Sequence, residues 1–181
     1  MLKSVLITEN NLDLAINIQR EIFPRENGKA NFLESFDEQK LLPSKLSKEY
    51  FLVYKDTNPI GLWGHYCLQE KNEVWLGWFG VVQKERKHGY GTTIFKIFES
   101  WAKDNGFDTI RLYTDEVDNA IACKLYEKMG MIKEYYKNKN DLCEDIGNIV
   151  IYSKSLKQNP VKLWNSKFIG YKKQKEKEND V

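Results

Sequence analysis

Residues 79–101 read Phe79-Gly80-Val81-Val82-Gln83-Lys84-Glu85-Arg86-Lys87-His88-Gly89-Tyr90-Gly91-Thr92-Thr93-Ile94-Phe95-Lys96-Ile97-Phe98-Glu99-Ser100-Trp101. A strand-like apolar run gives way to a basic turn with two glycines. Ile94, Ile97, Phe98 and Trp101 then recur at i, i+3, i+4 and i+7, the spacing of one helix face, until Gly106 stops the helix. Strand, basic glycine-bearing turn and helix start, in that order, suit a diphosphate. The first helical amides lack internal acceptors and carry the positive end of the dipole, and glycine lets the backbone come close. Lys84, Arg86 and Lys87 add positive charge opposed only by Glu85. Two commoner phosphate motifs are excluded, because Ile94 stands where the dinucleotide fingerprint has its third glycine and no Gly-Lys-Ser/Thr follows.

Upstream, Val5-Leu6-Ile7 reads as a first strand, and Leu14, Ile18 and Ile22 as a helix face that Pro24 ends. Residues 30–42 form a second helix around Phe32, Leu33 and Phe36, with Asn27-Gly28 before it as a loop. Runs at 50–54, 60–68 and 74–82, rich in aromatic and β-branched residues and joined by short polar turns, predict an antiparallel meander. Downstream come a strand at 109–114, a helix at 120–129 capped by Asp118 or Asn119 and closed by Gly130, and strands at 132–136 and 149–153. The fold class is α/β: a meander followed by β-α-β-α-β-β.

At this point the chain resembles the GNAT superfamily of N-acetyltransferases. The family's Gln/Arg-x-x-Gly-x-Gly/Ala after an apolar strand stands here as Arg86-Lys87-His88-Gly89-Tyr90-Gly91. Its N-x-x-A-x-x-L-Y-x-x-x-G-F segment is similar to residues 119–131, Asn119 to Met131, with Met131 in place of the final Phe. The resemblance implies an acyl-CoA N-acyltransferase fold whose mixed sheet splays between two central strands. Acetyl-CoA would be the cosubstrate, with its pantetheine pairing near Phe79 and Val81 and its diphosphate on the amides of residues 86–91. Phe79, Val81, Arg86, Lys87, His88, Gly89, Tyr90, Gly91 and Asn119 are the residues expected to bind it. The implied reaction is direct acetyl transfer to a primary amine, on a small molecule or a protein. The runner-up is a CoA-binding or regulatory module that keeps the fold without turnover.

Acetyl transfer needs a neutral amine, a polarised thioester and a proton for the departing thiolate. Tyr126 matches the family position whose hydroxyl lies near the CoA sulfur, although tyrosine at helical spacing with Ala122 and Met129 also suits a core. Straight alternation puts Glu73, Trp75, Gly77 and Phe79 on one strand face and Val74, Leu76 and Trp78 on the other. Glu73 is the candidate general base, with a solvated turn carboxylate as its plainer role. Asp115 and Glu116 could attract a cationic substrate. Trp63, Tyr66, Trp75 and Trp78 could wall an amine site or simply pack.

The rest of the sequence narrows the function classes. A net charge of +2 is too small for a polyanion binder, so no nucleic-acid partner is expected. Cys67, Cys123 and Cys143 form no paired framework, and His65 and His88 have no ligand-spaced partners, so no metal is expected. No run approaches the ~20 apolar residues of a membrane span, and the first apolar run is too short for a signal peptide, so the expected setting is cytoplasmic. Residues 1–157 are read as the catalytic domain and 158–171 as an apolar extension packed on it or on a second copy in a homodimer. Residues 172–181 are read as a charged tail.

Overall fold

The computed structural model describes residues 1–68, 72–138 and 148–169. Its elements run β1 (Leu2–Leu6), α1 (Leu12–Ile22), α2 (Gly28–Leu41), β2 (Glu49–Lys55), β3 (Asn58–Tyr66) and β4 (Glu73–Val81). They continue with α3 (Tyr90–Asp104), β5 (Thr109–Asp115), α4 (Ala120–Lys128), β6 (Ile132–Tyr135) and β7 (Ile149–Ser155). The strands make one seven-stranded sheet in the order β1-β2-β3-β4-β5-β7-β6. β1 to β4 are antiparallel neighbours, β4 and β5 are parallel, and β5, β7 and β6 are antiparallel again. The proposed tail at 172–181, the turn at 70–71 and Cys143 lie outside the described residues. No helix among the described residues is long and apolar enough to cross a membrane.

The helices divide between the two faces. α3 sends Ile94, Phe95, Phe98 and Ala102 into a core with Val53, Trp63, Val74 and Leu76, and α4 adds Cys123 and Tyr126. Both helices close on left-handed glycines. Phe107 N–H returns to Ala102 O beside Gly106, and Met131 N–H to Tyr126 O beside Gly130, each at about one turn's reach. On the other face α1 and α2 cover β2 and β3 through Ala15, Ile18, Phe32 and Phe36, which pack on Tyr50, Leu52 and Leu62. The α2 start corrects the sequence reading. Asn27 is its N-cap, accepting from Ala30 N–H at 3.2 Å, and Gly28 is its first residue. A Cβ on Gly28 would lie 2.2 Å from Gln19 Oε1, so glycine here permits the close approach of α1 and α2.

The same outer face carries the C-terminal segment. Trp164 and Ile169 are buried with Trp75, Tyr136, Ile149 and Ile151. Glu134 fixes the segment by accepting from Trp164 N–H at 2.7 Å and Asn165 N–H at 3.0 Å.

Candidate active site

β4 and β5 pair over a short stretch only: Glu73 opposite Thr109, Val74 opposite Ile110 and Trp75 opposite Arg111. Beyond Trp75 they separate, because β5 continues on β7 to Asp115 while β4 stays with β3 to Val81. The separation leaves backbone groups without a strand partner. Val82 N–H donates to Ile60 O at 3.0 Å, and Gly61, Leu62 and Trp63 stand opposite Val81, Gly80 and Phe79. Opposed residues of an antiparallel ladder alternate between bonded and non-bonded pairs. Gly80 therefore bonds Leu62, while the N–H and C=O groups of Phe79 and Val81 turn toward the gap that β5 has left.

A bulge sits at the middle of β4. His65 opposes Leu76 and Trp63 opposes Phe79, so Gly64 alone faces both Gly77 and Trp78. The bulge corrects the straight alternation expected from sequence. Phe79 packs on the α3 and α4 side, near Phe95 and Tyr126, whereas Trp78 joins Phe23, Phe32 and Tyr50 on the opposite face. An in-strand bulge leaves main-chain groups unpaired and re-aims side chains, and here it does so beside the split.

The basic loop turns off the end of β4. Gln83 to Glu85 make a single 3-10 turn, and Arg86 N–H returns to Gln83 O at 3.2 Å. The Arg86 amide is thus already bonded, and its Nε donates to Val81 O at 3.0 Å. Of the amides of residues 86–91, that of Arg86 is therefore taken, while those of residues 87–91, and of Thr92 after them, have no acceptor among the described residues. Lys87 and Gly89 have φ of 66° and 79°, in the left-handed region, and Gly89 is the N-cap of α3. Thr93 N–H is the first α3 amide to turn back, to Gly89 O, so those of Tyr90, Gly91 and Thr92 point out of the helix end. His88 Nδ1 lies 3.3 Å from Glu85 O, and Lys55 Nζ stands 5.3 Å above the Tyr90 ring. Asn119, the N-cap of α4, is exposed and makes no side-chain cap bond.

Tyr126 occupies the near face of the split. Its ring is 6.2 Å from Phe79 and from Phe95, and 5.3 Å from Tyr152 on β7, so it bridges the two arms of the sheet. Among the described residues its hydroxyl has no hydrogen-bond partner. Burial, and then the neighbouring Cys123, raise its pKa above the usual phenol range.

Glu73 stands at the closed end of the split. Its two oxygens accept from Arg111, Oε2 from Nε at 2.8 Å and Oε1 from Nη2 at 2.7 Å. Arg111 is 1% exposed. It also donates to Ser153 Oγ and Lys162 O, and lies 5.3 Å from the Trp164 ring. The other two carboxylates noted in the sequence are also engaged. Asp115 Oδ1 accepts from Val117 N–H and Asp118 N–H, and Glu116 pairs with Lys133. Neither Arg111 nor the bulge is marked by a motif. The in-strand glycines Gly64 and Gly77 are the trace that the bulge leaves in the sequence. Among the described residues no group of three or more His, Cys, Asp or Glu is placed to hold a metal.

Residues 12–131 match the sequence model of the Acetyltransferase (GNAT) family. No curated protein sequence matches the chain. Among solved structures, the Escherichia coli ribosomal-protein-S18-alanine N-acetyltransferase superposes with TM-score 0.67 at 15% identity, over 91% of this chain and 99% of that one. A Bacillus subtilis acetyltransferase in complex with CoA gives TM-score 0.61 at 18% identity, over 86% and 99%. An Elizabethkingia anophelis GNAT acetyltransferase with acetyl-CoA bound gives 0.63 at 14%, over 86% and 98%. At these identities the likeness concerns the fold. The family match runs from α1 to Met131 and takes in both arms of the split and the loop beside it; the chain belongs to the GNAT family of acetyltransferases.

Proposed function

We propose that the chain transfers the acetyl group of acetyl-CoA to a primary amine by direct attack, with both substrates bound together in the split. The observation that carries this reading is the opening of β4 from β5 beside a loop whose amides, from Lys87 to Thr92, lack acceptors among the described residues. The backbone edge left open at Phe79 and at the Val81 N–H would pair with the pantetheine arm, beside the Val81 carbonyl that Arg86 already engages. The diphosphate would sit on the α3 end, with Lys84, Arg86 and Lys87 supplying positive charge around it. Gly89 supplies the left-handed turn there, and His88, Tyr90, Gly91 and Asn119 border the same region.

The amine nitrogen lone pair attacks the thioester carbonyl carbon, and the C–S bond breaks as the C–N bond forms. Tyr126 gives its hydroxyl proton to the departing sulfur, and the proton lost by the amine leaves through solvent and restores the phenol. A raised phenol pKa keeps that proton in place at any working pH. In this reading Glu73 does not take the proton. Its two oxygens are held by Arg111, and it closes the base of the split.

Calorimetric titration of the full chain with acetyl-CoA, followed by thiol release across an amine panel with mass analysis of the products, tests the proposal. The expected result is saturable acetyl-CoA binding and an acceptor heavier by one acetyl group. Tight binding with no acetylated amine would turn the reading to a CoA-binding module.

A further inference from the structure

The face of the split opposite α3 and α4 has a feature that acetyl-CoA binding does not use. Tyr50 starts on β2, opposite Gly64 on β3. A Cβ on Gly64 would lie 2.2 Å from Tyr50 Cδ1 and 2.7 Å from Cε1, and a Cβ on Gly77 would lie 3.7 Å from the same Cε1. The two glycines therefore make a trough in which the Tyr50 ring crosses β3, bringing its hydroxyl-bearing end to the bulge of β4. Any side chain at Gly64 would expel the ring. Trp78 and Phe32 hold it, at 5.3 Å each between ring centroids.

Tyr66 and Tyr113 approach the same place from the other side. Tyr66 stacks on Trp75 at 6.1 Å, and Tyr113 lies 6.4 Å from Trp75 on β5, just past the last β4–β5 pair. Tyr66 from β3 and Tyr113 from β5 thus flank the same Trp75 ring. Burial, then Tyr113 and Tyr50, raises the Tyr66 pKa, and burial, then Glu34, Glu38, Tyr113 and Glu26, raises that of Tyr50. The Tyr50 and Tyr66 hydroxyls stay protonated. Among the described residues those of Tyr50 and Tyr66 have no hydrogen-bond partner.

We propose that Tyr50, Tyr66 and Tyr113 receive the acceptor, and that the site takes a primary aliphatic amine bearing no carboxylate. The inference rests on reading the split as the acetyl-CoA site, since it places the amine at the bulge from the face opposite α3. Aromatic faces and neutral phenol oxygens attract an ammonium group and accept its N–H bonds. Glu26, Glu34 and Glu38 add a negative field that Lys48, 2.7 Å from Glu34, only partly offsets. A carboxylate on the acceptor would find the Arg111 nitrogens bonded to Glu73, Ser153 and Lys162 O and Lys48 bonded to Glu34.

The test compares butylamine, 1,4-diaminobutane and 4-aminobutanoate, which share a four-carbon reach, with the full chain and its Tyr50→Phe and Tyr66→Phe variants. Acetyl-CoA affinity and melting temperature are measured alongside. Loss of a hydrogen bond to a charged group corresponds to about tenfold or more. The diamine should exceed 4-aminobutanoate in kcat/KM by about that factor, and each variant should lose about as much toward the diamine, mainly through KM. Acetyl-CoA affinity should stay within about threefold in both variants, since the phenols lie off its path. Preference for 4-aminobutanoate or unchanged kinetics in both variants would overturn the acceptor assignment alone; acetyl-CoA binding with no amine acetylated would turn the underlying reading to a CoA-binding module. Absence of acetyl-CoA binding would instead remove the reading beneath it.

Discussion

Arg111, in the last joined pair of β4 and β5, meets Glu73, in the first, in a two-point hydrogen-bonded pair between residues 38 positions apart in sequence. Planar guanidinium against carboxylate fixes direction as well as distance. The pair therefore clamps the short parallel ladder from its first joined residue to its last, next to the point from which the two strands diverge. Its remaining donors hold the C-terminal segment through Lys162 O. One buried cation therefore joins the base of the split to the chain's last described segment.

Glu73→Gln should separate a structural carboxylate from a catalytic one. Removing one partner of a buried pair leaves Arg111 uncompensated, at a cost of about 3–5 kcal/mol. For a chain of this size each kcal/mol corresponds to about 2–4 °C in melting temperature. We expect a large drop in Tm, with kcat changed less than about threefold when assayed well below the transition. A kcat loss of about a hundredfold in a folded variant, with loss of the ascending limb of its pH profile, would make Glu73 the base after all.

Tyr126→Phe keeps the ring between Phe79, Phe95 and Tyr152 and deletes only a hydroxyl that has no partner among the described residues. General-acid assistance is worth ~10²–10⁴ in rate, and a thiolate leaves fairly well unaided, so a fall near the lower figure is expected. Acetyl-CoA affinity should stay within a few-fold. Wild-type turnover at saturating acceptor, under conditions where chemistry limits, would reduce Tyr126 to a packing residue.

The parts of the fold legible in the sequence are those fixed by local chemistry. Ile94 and Phe98 mark α3, Gly106 and Gly130 its end and that of α4, and Gly89 the helix start, because each acts within a turn of itself. The bulge is not local in that sense. Gly77 and Trp78 share one opposing residue only because Gly64 and the Tyr50 ring lie where they do, so counting alternation straight through β4 puts Phe79 on the wrong face. Arg111 is hidden for a similar reason: its partners stand 38, 42 and 51 positions away, and nothing beside it in sequence announces them.

The two loop glycines should respond differently to substitution. Gly89 has φ of 79° with open space around its Cβ direction, so a side chain there is strained by backbone conformation alone. Gly89→Asp adds negative charge where phosphates are proposed to lie, and acetyl-CoA binding should be abolished in calorimetry. A Cβ on Gly91 would meet Leu125 Cδ2 at 3.5 Å, an ordinary contact. Gly91→Ala should therefore melt within a degree or two of the parent, as interior Gly to Ala costs no helix propensity, while weakening acetyl-CoA if the ligand passes close. Unchanged affinity in both variants would move the diphosphate off this loop.

His65 gives the chain a pH-dependent stability unrelated to catalysis. It is fully buried, stacked on Trp101 at 3.9 Å, with Nε2 3.2 Å from Glu49 Oε2 and Nδ1 without a partner among the described residues. Nε2–H donating to the carboxylate leaves a bare lone pair at Nδ1, and protonation would create an N–H there with nothing to accept it. Burial accordingly lowers its pKa below the ordinary value of 6.5, with the Glu49 contact opposing in part. The unfolded chain then binds more protons than the folded one below about pH 6.5, so this contribution is complete above that pH and declines as pH falls toward the folded value. Thermal melts from pH 8 to 5.5 should show the decline, and His65→Gln, which keeps a donor for Glu49 without titrating, should be flatter below pH 6.5 though less stable at pH 8. Parallel curves for parent and variant would show that the His65 charge state does not govern acid stability.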